Sequence, residues 1–119
     1  MDKQRRRELR GKYDEIPTMM GVAQLKNRQN GKLFVFSKNN LKSSYLTMKM
    51  QLDMGQFRNA ELQADWKALG ETAFEYSVLE EKEVKPEIDR DFALRQMEKA
   101  WLERLKPYGD RGYNREVKE

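Results

Sequence analysis

The chain has 119 residues, which is enough for one domain with a single hydrophobic core. It contains neither cysteine nor histidine, so disulfides, thiolate nucleophiles, zinc knuckles and imidazole acid–base pairs are excluded. No apolar run approaches the roughly 18 residues of a membrane span, and no apolar segment follows the basic N-terminus as in a signal peptide. Composition therefore predicts a cytoplasmic protein without membrane contact.

The net charge of +4 is distributed unevenly along the chain. The first 52 residues contain 12 basic and 4 acidic side chains, whereas the remainder contains 12 basic and 16 acidic ones. The stretch from Ile16 to Leu52 has no carboxylate at all. This asymmetry favours a basic face that binds a polyanion such as DNA, and an ordinary lysine-rich surface is the alternative.

The first element in chain order is a basic segment rich in helix formers. Its apolar residues Leu9, Tyr13 and Ile16 recur at i, i+4 and i+7, a spacing that predicts a short helix with one docking side. We therefore expect a basic helix over 1–17, followed by a single domain over 18–119.

A β-hairpin comes next. Asn30-Gly31 lies between two apolar runs and indicates a hairpin, because both residues accept the positive φ of a type I′ turn. We predict paired antiparallel strands at about 19–28 and 32–37, and a third strand at about 73–80.

Three helices are predicted after the hairpin, at about 41–54, 60–69 and 86–106. Asparagine residues at helix starts, glycine residues at helix ends and Pro86 at a first helical position supply the boundaries. The expected fold is α+β, a small three-stranded antiparallel sheet flanked by helices, with an extra N-terminal helix.

Four short motifs accompany this order of elements. They are Gly21-Val22-Ala23 with Lys26-Asn27, Phe34-Val35-Phe36-Ser37, Glu98 with Trp101, and Gly112-Tyr113-Asn114. Over roughly 19–114 the chain thereby resembles the GIY-YIG endonuclease domain, which implies a bacterial or mobile-element origin.

The resemblance implies hydrolysis of a phosphodiester bond with one divalent metal ion. In the family a tyrosine helps to generate the nucleophile, an arginine stabilises the phosphorane, and a histidine or second tyrosine assists. A glutamate holds the metal ion, which offsets the developing negative charge.

Most of the side chains that the family uses are replaced in this sequence. The replacements are Ala23 and Phe34 for the tyrosines, Phe36 for a glycine, Ser44 for the arginine, and Met48 and Phe57 for histidines. Glu98 and Asn114 are retained, and Glu98 is the candidate metal ligand. The sequence therefore lacks the tyrosine that helps to generate the nucleophile, the arginine that stabilises the phosphorane and the assisting histidine or tyrosine. This predicts an inactive nuclease, because each loss lowers the rate of cleavage by about 10²-fold or more.

The leading interpretation is a catalytically degenerate GIY-YIG nuclease-like domain that binds DNA without cleaving it and needs no cofactor. The candidate DNA-binding residues are Lys26, Arg28, Lys38, Lys42 and Lys49. One alternative is an active, Mg²⁺-dependent endonuclease whose catalytic residues have relocated to Tyr45 and Arg28. A second alternative is a protein-interaction or regulatory module, with a partner surface around Phe36 and Met48.

Overall fold

The computed structural model describes residues 17–116, so the helix predicted ahead of Pro17 lies outside the described residues. Within this range three strands and three helices form an α+β fold, as the sequence predicts. The strands are β1 (Met19–Asn27), β2 (Leu33–Lys38) and β3 (Phe74–Glu83). The helices are α1 (Ser44–Asp53), α2 (Ala60–Leu69) and α3 (Arg90–Leu105). Short 3₁₀ turns cover Glu71–Ala73 and Gly109–Arg111.

The sheet has the strand order β2-β1-β3, and both pairings are antiparallel. Strand β1 is therefore central, and β2 and β3 form opposite edges. Gly21 in β1 lies against β3 so closely that a Cβ atom would come within 2.1 Å of the Glu80 carbonyl oxygen. The register between these strands shifts between Val22 and Ala23. This irregularity lies beside the first motif, at the centre of the sheet.

The two faces of the sheet carry separate apolar clusters, because successive residues of a strand point to opposite sides. Phe34 and Phe36 of β2 pack on the side of α1 and α2. Val35 packs on the opposite side, against Met97 of α3. The first cluster also contains the buried helix residues Met48, Leu52, Leu62 and Trp66. The sheet is thus covered by α1 and α2 on one face and by α3 on the other.

The β1–β2 hairpin is confirmed, but its turn is not the predicted type I′. The Asn27 N–H donates to the Lys32 carbonyl over 2.9 Å, so the loop spans 28–31 rather than two residues. Gly31 has a φ of 78°, whereas Asn30 is not among the positive-φ residues. The Asn30 side chain instead accepts the Lys32 N–H at 2.9 Å, which stabilises a wider turn.

Two helices begin later than predicted. Helix α1 starts at Ser44, because the Asn40 side chain accepts the Lys42 N–H and closes a turn ahead of the helix. Helix α3 starts at Arg90, with Asp89 as its N-cap. Pro86 takes the second position of a turn closed by the Ile88 N–H and the Lys85 carbonyl, which suits its fixed φ as well as a helix start does.

Candidate functional site

A groove of about 1010 Å³ runs along the edge strand β2, on the side of α1 and α2. Its floor contains Phe34, Phe36 and Met48. One wall is the loop that leads into α2, and the other is the segment after α3 that carries the Gly112-Tyr113-Asn114 motif. The groove includes five of the positions that the resemblance assigns to the active site, namely Phe34, Phe36, Met48, Phe57 and Asn114.

Aromatic rings fill the floor of this groove. Phe34 and Phe36 stack with ring centroids 5.7 Å apart, and Phe57 meets Phe34 edge-on at 5.6 Å. Tyr76 of β3 lies 6.3 Å from Phe36. Three of these residues stand at positions that the resemblance assigns to tyrosine, glycine and histidine. The polar floor that the resemblance implies is therefore replaced by a hydrophobic one.

The position that the resemblance assigns to an arginine is closed by a tyrosine. Ser44 is buried, and its Oγ shares a hydrogen bond of 2.6 Å with the hydroxyl of Tyr76. The ring of Tyr45 packs on Tyr76 from the outside, at 5.0 Å. Sequence reasoning missed Tyr76. The alternation of β3 places it on the same face as the buried Phe74, so the signal was present in the strand pattern.

The partner surface predicted at Phe36 and Met48 is not formed, because these side chains are only 8% and 4% exposed. Both belong to the cluster between the sheet and the helices, where they fill volume. The exposed apolar side chains of α1 and its C-terminal end are instead Leu46, Met50 and Met54, each more than half exposed. They are spaced four residues apart and lie on a different face of the helix from Met48.

Glu98 belongs to α3, which covers the other face of the sheet, and its carboxylate reaches Ser37, a residue that lines the groove. It accepts a hydrogen bond from Ser37 Oγ, and Ser37 alternates with Phe36 along β2. Within residues 17–116 no three His, Cys, Asp or Glu side chains converge. Magnesium is usually held by one or two carboxylates together with water and substrate phosphates. One carboxylate that already accepts a hydrogen bond does not make a metal site by itself.

Asn114 has a structural contact that accounts for its presence. Its Oδ1 accepts the Val35 N–H at 2.9 Å, and its Nδ2 donates to the Val35 carbonyl at 2.7 Å. The side chain thus pairs with the free edge of β2 as a strand would. Gly112 is equally constrained, since a Cβ atom there would lie 2.3 Å from the Pro107 carbonyl oxygen. The motif fixes the C-terminal wall of the groove onto β2.

Tyr113 ties three parts of the chain together. Its buried hydroxyl donates to Asp65 of α2 at 2.7 Å and accepts from Asn27 Nδ2 at 3.0 Å. Asn59 Nδ2 donates to the Tyr113 carbonyl at 2.7 Å. Burial raises the pKa of Tyr113 to about 12, so the phenol stays protonated and serves as a donor rather than a base. Sequence reasoning did not find this network, because its members are up to 86 residues apart.

The five predicted DNA-binding residues do not form one surface. Lys38 lines the groove. Arg28 is 3.4 Å from the carboxylate of Glu75, and Lys49 is 2.8 Å from that of Asp53. Lys26 and Lys42 are exposed at opposite ends of the sheet, near the hairpin and ahead of α1.

Two arginines that sequence reasoning missed also line the groove. Arg58 and Arg115 are exposed and lie on its two walls, together with Lys38 at the end of β2. Among residues 17–116 none of these three cations has a salt-bridge partner. Both arginines belong to the part of the sequence in which acidic residues outnumber basic ones. The charge distribution along the chain therefore did not indicate them as DNA-binding candidates.

Tyr45 and Arg28, the residues of the relocated-nuclease alternative, do not lie in the groove. The Tyr45 hydroxyl donates to Glu71 at 3.2 Å. Burial, and then the Glu71 carboxylate, raise the pKa of Tyr45. A phenol held protonated in this way is a poor base. This pair therefore offers no assembled site for hydrolysis.

None of the helices within residues 17–116 is both long and apolar enough to cross a lipid bilayer.

The strand order, the three helices and the positions of the four motifs together define a GIY-YIG-like fold. Two solved structures of the catalytic domain of the intron-encoded homing endonuclease I-TevI have this fold. The chain is 25% identical to a mutant of that domain, with a TM-score of 0.68 over 81% of this chain and 92% of the other. It is 26% identical to a second structure of the domain, with a TM-score of 0.64 over 80% and 96%. No family model and no curated protein sequence matches the chain.

Proposed function

We propose that this chain is a GIY-YIG-like domain that binds DNA without cleaving it. The observation that carries the proposal is the aromatic floor of the groove, since Phe34, Phe36 and Phe57 stand where the resemblance assigns catalytic or active-site residues. Phe36 belongs to the hydrophobic core and packs on Tyr76, and the partly buried Phe34 and Phe57 pack against that core.

The chemistry of the groove supports an inactive domain. Phe34 has no hydroxyl with which to move a proton. The Ser44 side chain is too short to bind two phosphate oxygens as an arginine does, and its hydroxyl is hydrogen-bonded to that of Tyr76. Glu98 extends from α3, and its carboxylate accepts a hydrogen bond from Ser37 at the border of the groove. Hydrolysis requires these functions together around one phosphate, and their loss removes several powers of ten in rate.

Two features support DNA as the ligand. The solved structures that this chain resembles are of the catalytic domain of a homing endonuclease. The groove carries the cations Lys38, Arg58 and Arg115, which would contact phosphates whether or not cleavage occurs. Contacts of this kind need no divalent ion, so we expect the chain to bind DNA in the presence of EDTA.

Nicking of supercoiled plasmid tests the inactive state. We expect the chain with Mg²⁺ or Mn²⁺ to convert no more plasmid to the open circle than buffer does, and Glu98→Ala to behave identically. Nicking that depends on metal and disappears in Glu98→Ala would overturn the proposal in favour of an active endonuclease.

A gel-shift titration in EDTA tests the binding itself. We expect a complex at about 50 mM salt that weakens steeply as the salt concentration rises, because counterions are displaced from the phosphates. The absence of any complex at about 50 mM salt, with single-stranded and with duplex DNA, would refute DNA as the ligand.

A further inference from the structure

The groove along β2 combines an aromatic floor with a basic rim, which is more than contact with a duplex backbone requires. We propose that the groove binds single-stranded DNA and stacks an unpaired base against Phe57 and Phe34. This inference rests on the proposed DNA binding and adds which form of DNA is bound.

Phe57 and Phe34 form an aromatic corner in the groove. Their rings are 5.6 Å apart and inclined at 84°, and both residues are partly buried with some surface left exposed. A planar base that stacks on one ring meets the other ring edge-on, and both geometries are favourable for aromatic pairs. The buried Phe36 ring stacks on Phe34 at 5.7 Å and supports the corner from the core.

The loop that carries Phe57 is held in place on both sides. The Phe57 N–H donates to Gln63 Oε1 at 2.9 Å, and Gln63 Nε2 donates to the Leu52 carbonyl at 2.9 Å. Asn59, two residues further on, caps α2 and donates to the Tyr113 carbonyl. The ring is therefore placed before a ligand arrives, which lowers the entropy lost on binding.

The charges around the corner suit a phosphate backbone. Arg58 follows Phe57 directly, Lys38 lies at the end of β2, and Arg115 follows the Gly112-Tyr113-Asn114 motif, and all three line the groove. Glu61 is the carboxylate among the lining residues, and it is paired with Lys32 Nζ. The groove therefore keeps an excess of positive charge beside its aromatic surface, as in proteins that bind single strands.

An unpaired base fits this arrangement and a paired one does not. In a duplex both faces of every base are covered by neighbouring bases, so a base cannot reach rings at the bottom of a groove. A single strand presents its base faces freely, and stacking on an aromatic side chain contributes about 1–3 kcal/mol per base. The groove volume of about 1010 Å³ is sufficient for at least one nucleotide.

Fluorescence anisotropy with three labelled probes of equal length tests the inference on the full chain in EDTA. The probes are an oligothymidine strand, a strand of abasic sites and a duplex. We expect oligothymidine to bind about tenfold or more tightly than the abasic strand, which carries the same phosphates without bases, and also more tightly than the duplex. A duplex that binds as tightly as oligothymidine would overturn the inference. Phe57→Leu should lower the affinity for oligothymidine about fivefold or more and leave the abasic strand unaffected.

Two further variants separate stacking from folding. Phe92→Leu alters an exposed phenylalanine on α3, outside the groove, and should change nothing. Phe57→Trp keeps an aromatic face and should retain binding, even if Phe57→Leu lowers the melting temperature. Equal binding of oligothymidine and the abasic strand would overturn the inference and leave DNA binding intact. No binding of any probe would overturn both proposals.

Discussion

At the scale of single residues, the side chain that organises the groove most strongly is Tyr113. Its hydroxyl joins Asn27 of β1 to Asp65 of α2, and its backbone is held by Leu33 and Asn59. Asn27 is fully buried, so its amide has to be hydrogen-bonded inside the protein. The network therefore fixes the C-terminal wall against both the sheet and a helix.

Removing this hydroxyl should destabilise the fold. We expect Tyr113→Phe to lower the free energy of unfolding at pH 8 by about 1–3 kcal/mol, because the buried Asn27 donor and the Asp65 carboxylate lose their partner. Urea denaturation followed by tryptophan fluorescence measures this. A variant as stable as the wild type would show that water replaces the hydroxyl without loss.

The same residue makes stability depend on alkaline pH. The pKa of Tyr113 is raised from its ordinary value of 10 to about 12 in the folded protein, so its stabilising effect is complete below pH 10. It is lost as the pH rises towards 12, by roughly 2–3 kcal/mol, because the unfolded chain ionises first. Urea denaturation between pH 8 and 11.5 should show the gap between wild type and Tyr113→Phe closing. A constant gap would contradict the raised pKa.

At the scale of elements, the N-cap residues of α2 and α3 differ in their surroundings. Asn59 accepts the Leu62 N–H at 3.0 Å, and Asp89 accepts the Phe92 N–H at 3.1 Å. Asn59 is half-buried and also donates to Tyr113, whereas Asp89 is exposed. The first cap thus joins α2 to the wall of the groove, and the second acts only on α3.

Alanine substitutions should separate these two roles. We expect Asp89→Ala to cost about 1 kcal/mol of unfolding free energy and Asn59→Ala about 2, because the latter also leaves the Tyr113 carbonyl without its donor. Asn59→Asp keeps the cap acceptor and loses only the donor, so its cost should fall between those of wild type and Asn59→Ala. Chemical denaturation of the three variants provides the measurement. Equal costs for the two alanine variants would mean that the Tyr113 contact contributes nothing.

The elements were predicted better than their ends. The three strands, the helices and the cap at Asn59 follow from apolar periodicity and from short-range signals. The starts of α1 and α3 were wrong because Asn40 and Pro86 suit a turn as well as a helix start. Local sequence cannot decide between these uses, since the choice depends on how the chain packs afterwards.

At the scale of the whole molecule, charge is separated across the sheet. The groove lies along β2 with three unpaired cations among the described residues. The opposite edge strand, β3, carries four carboxylates, on Glu75, Glu80, Glu81 and Glu83. Glu75 is paired with Arg28, and Lys82 lies in the same strand, so the β3 edge keeps a smaller excess of negative charge. An anionic ligand would be attracted to the groove more than to this edge.

This separation gives a quantitative expectation for binding to single-stranded DNA. If Lys38, Arg58 and Arg115 each contact a phosphate, log K should fall against log salt with a slope of about −2 from these contacts. Arg58→Gln should reduce the slope by about 0.7, and Lys99→Gln, on the exposed surface of α3, should leave it unchanged. Anisotropy titrations at several salt concentrations measure both slopes. Equal changes in the two variants would mean that the groove does not bind the backbone.

The sequence by itself predicted the number and order of the strands and helices within residues 17–116, the positions of the motifs and the residues that stand where the resemblance assigns tyrosine, arginine and histidine. These properties depend on residues near one another in the chain, so the spacing of apolar residues and the types of side chain predict them directly. Only the tertiary structure brought Tyr76 onto Ser44, Glu98 onto Ser37, and the cations Lys38, Arg58 and Arg115 into one groove. These contacts join residues that are far apart in sequence, and they depend on which strands pair and how the loops pack on them.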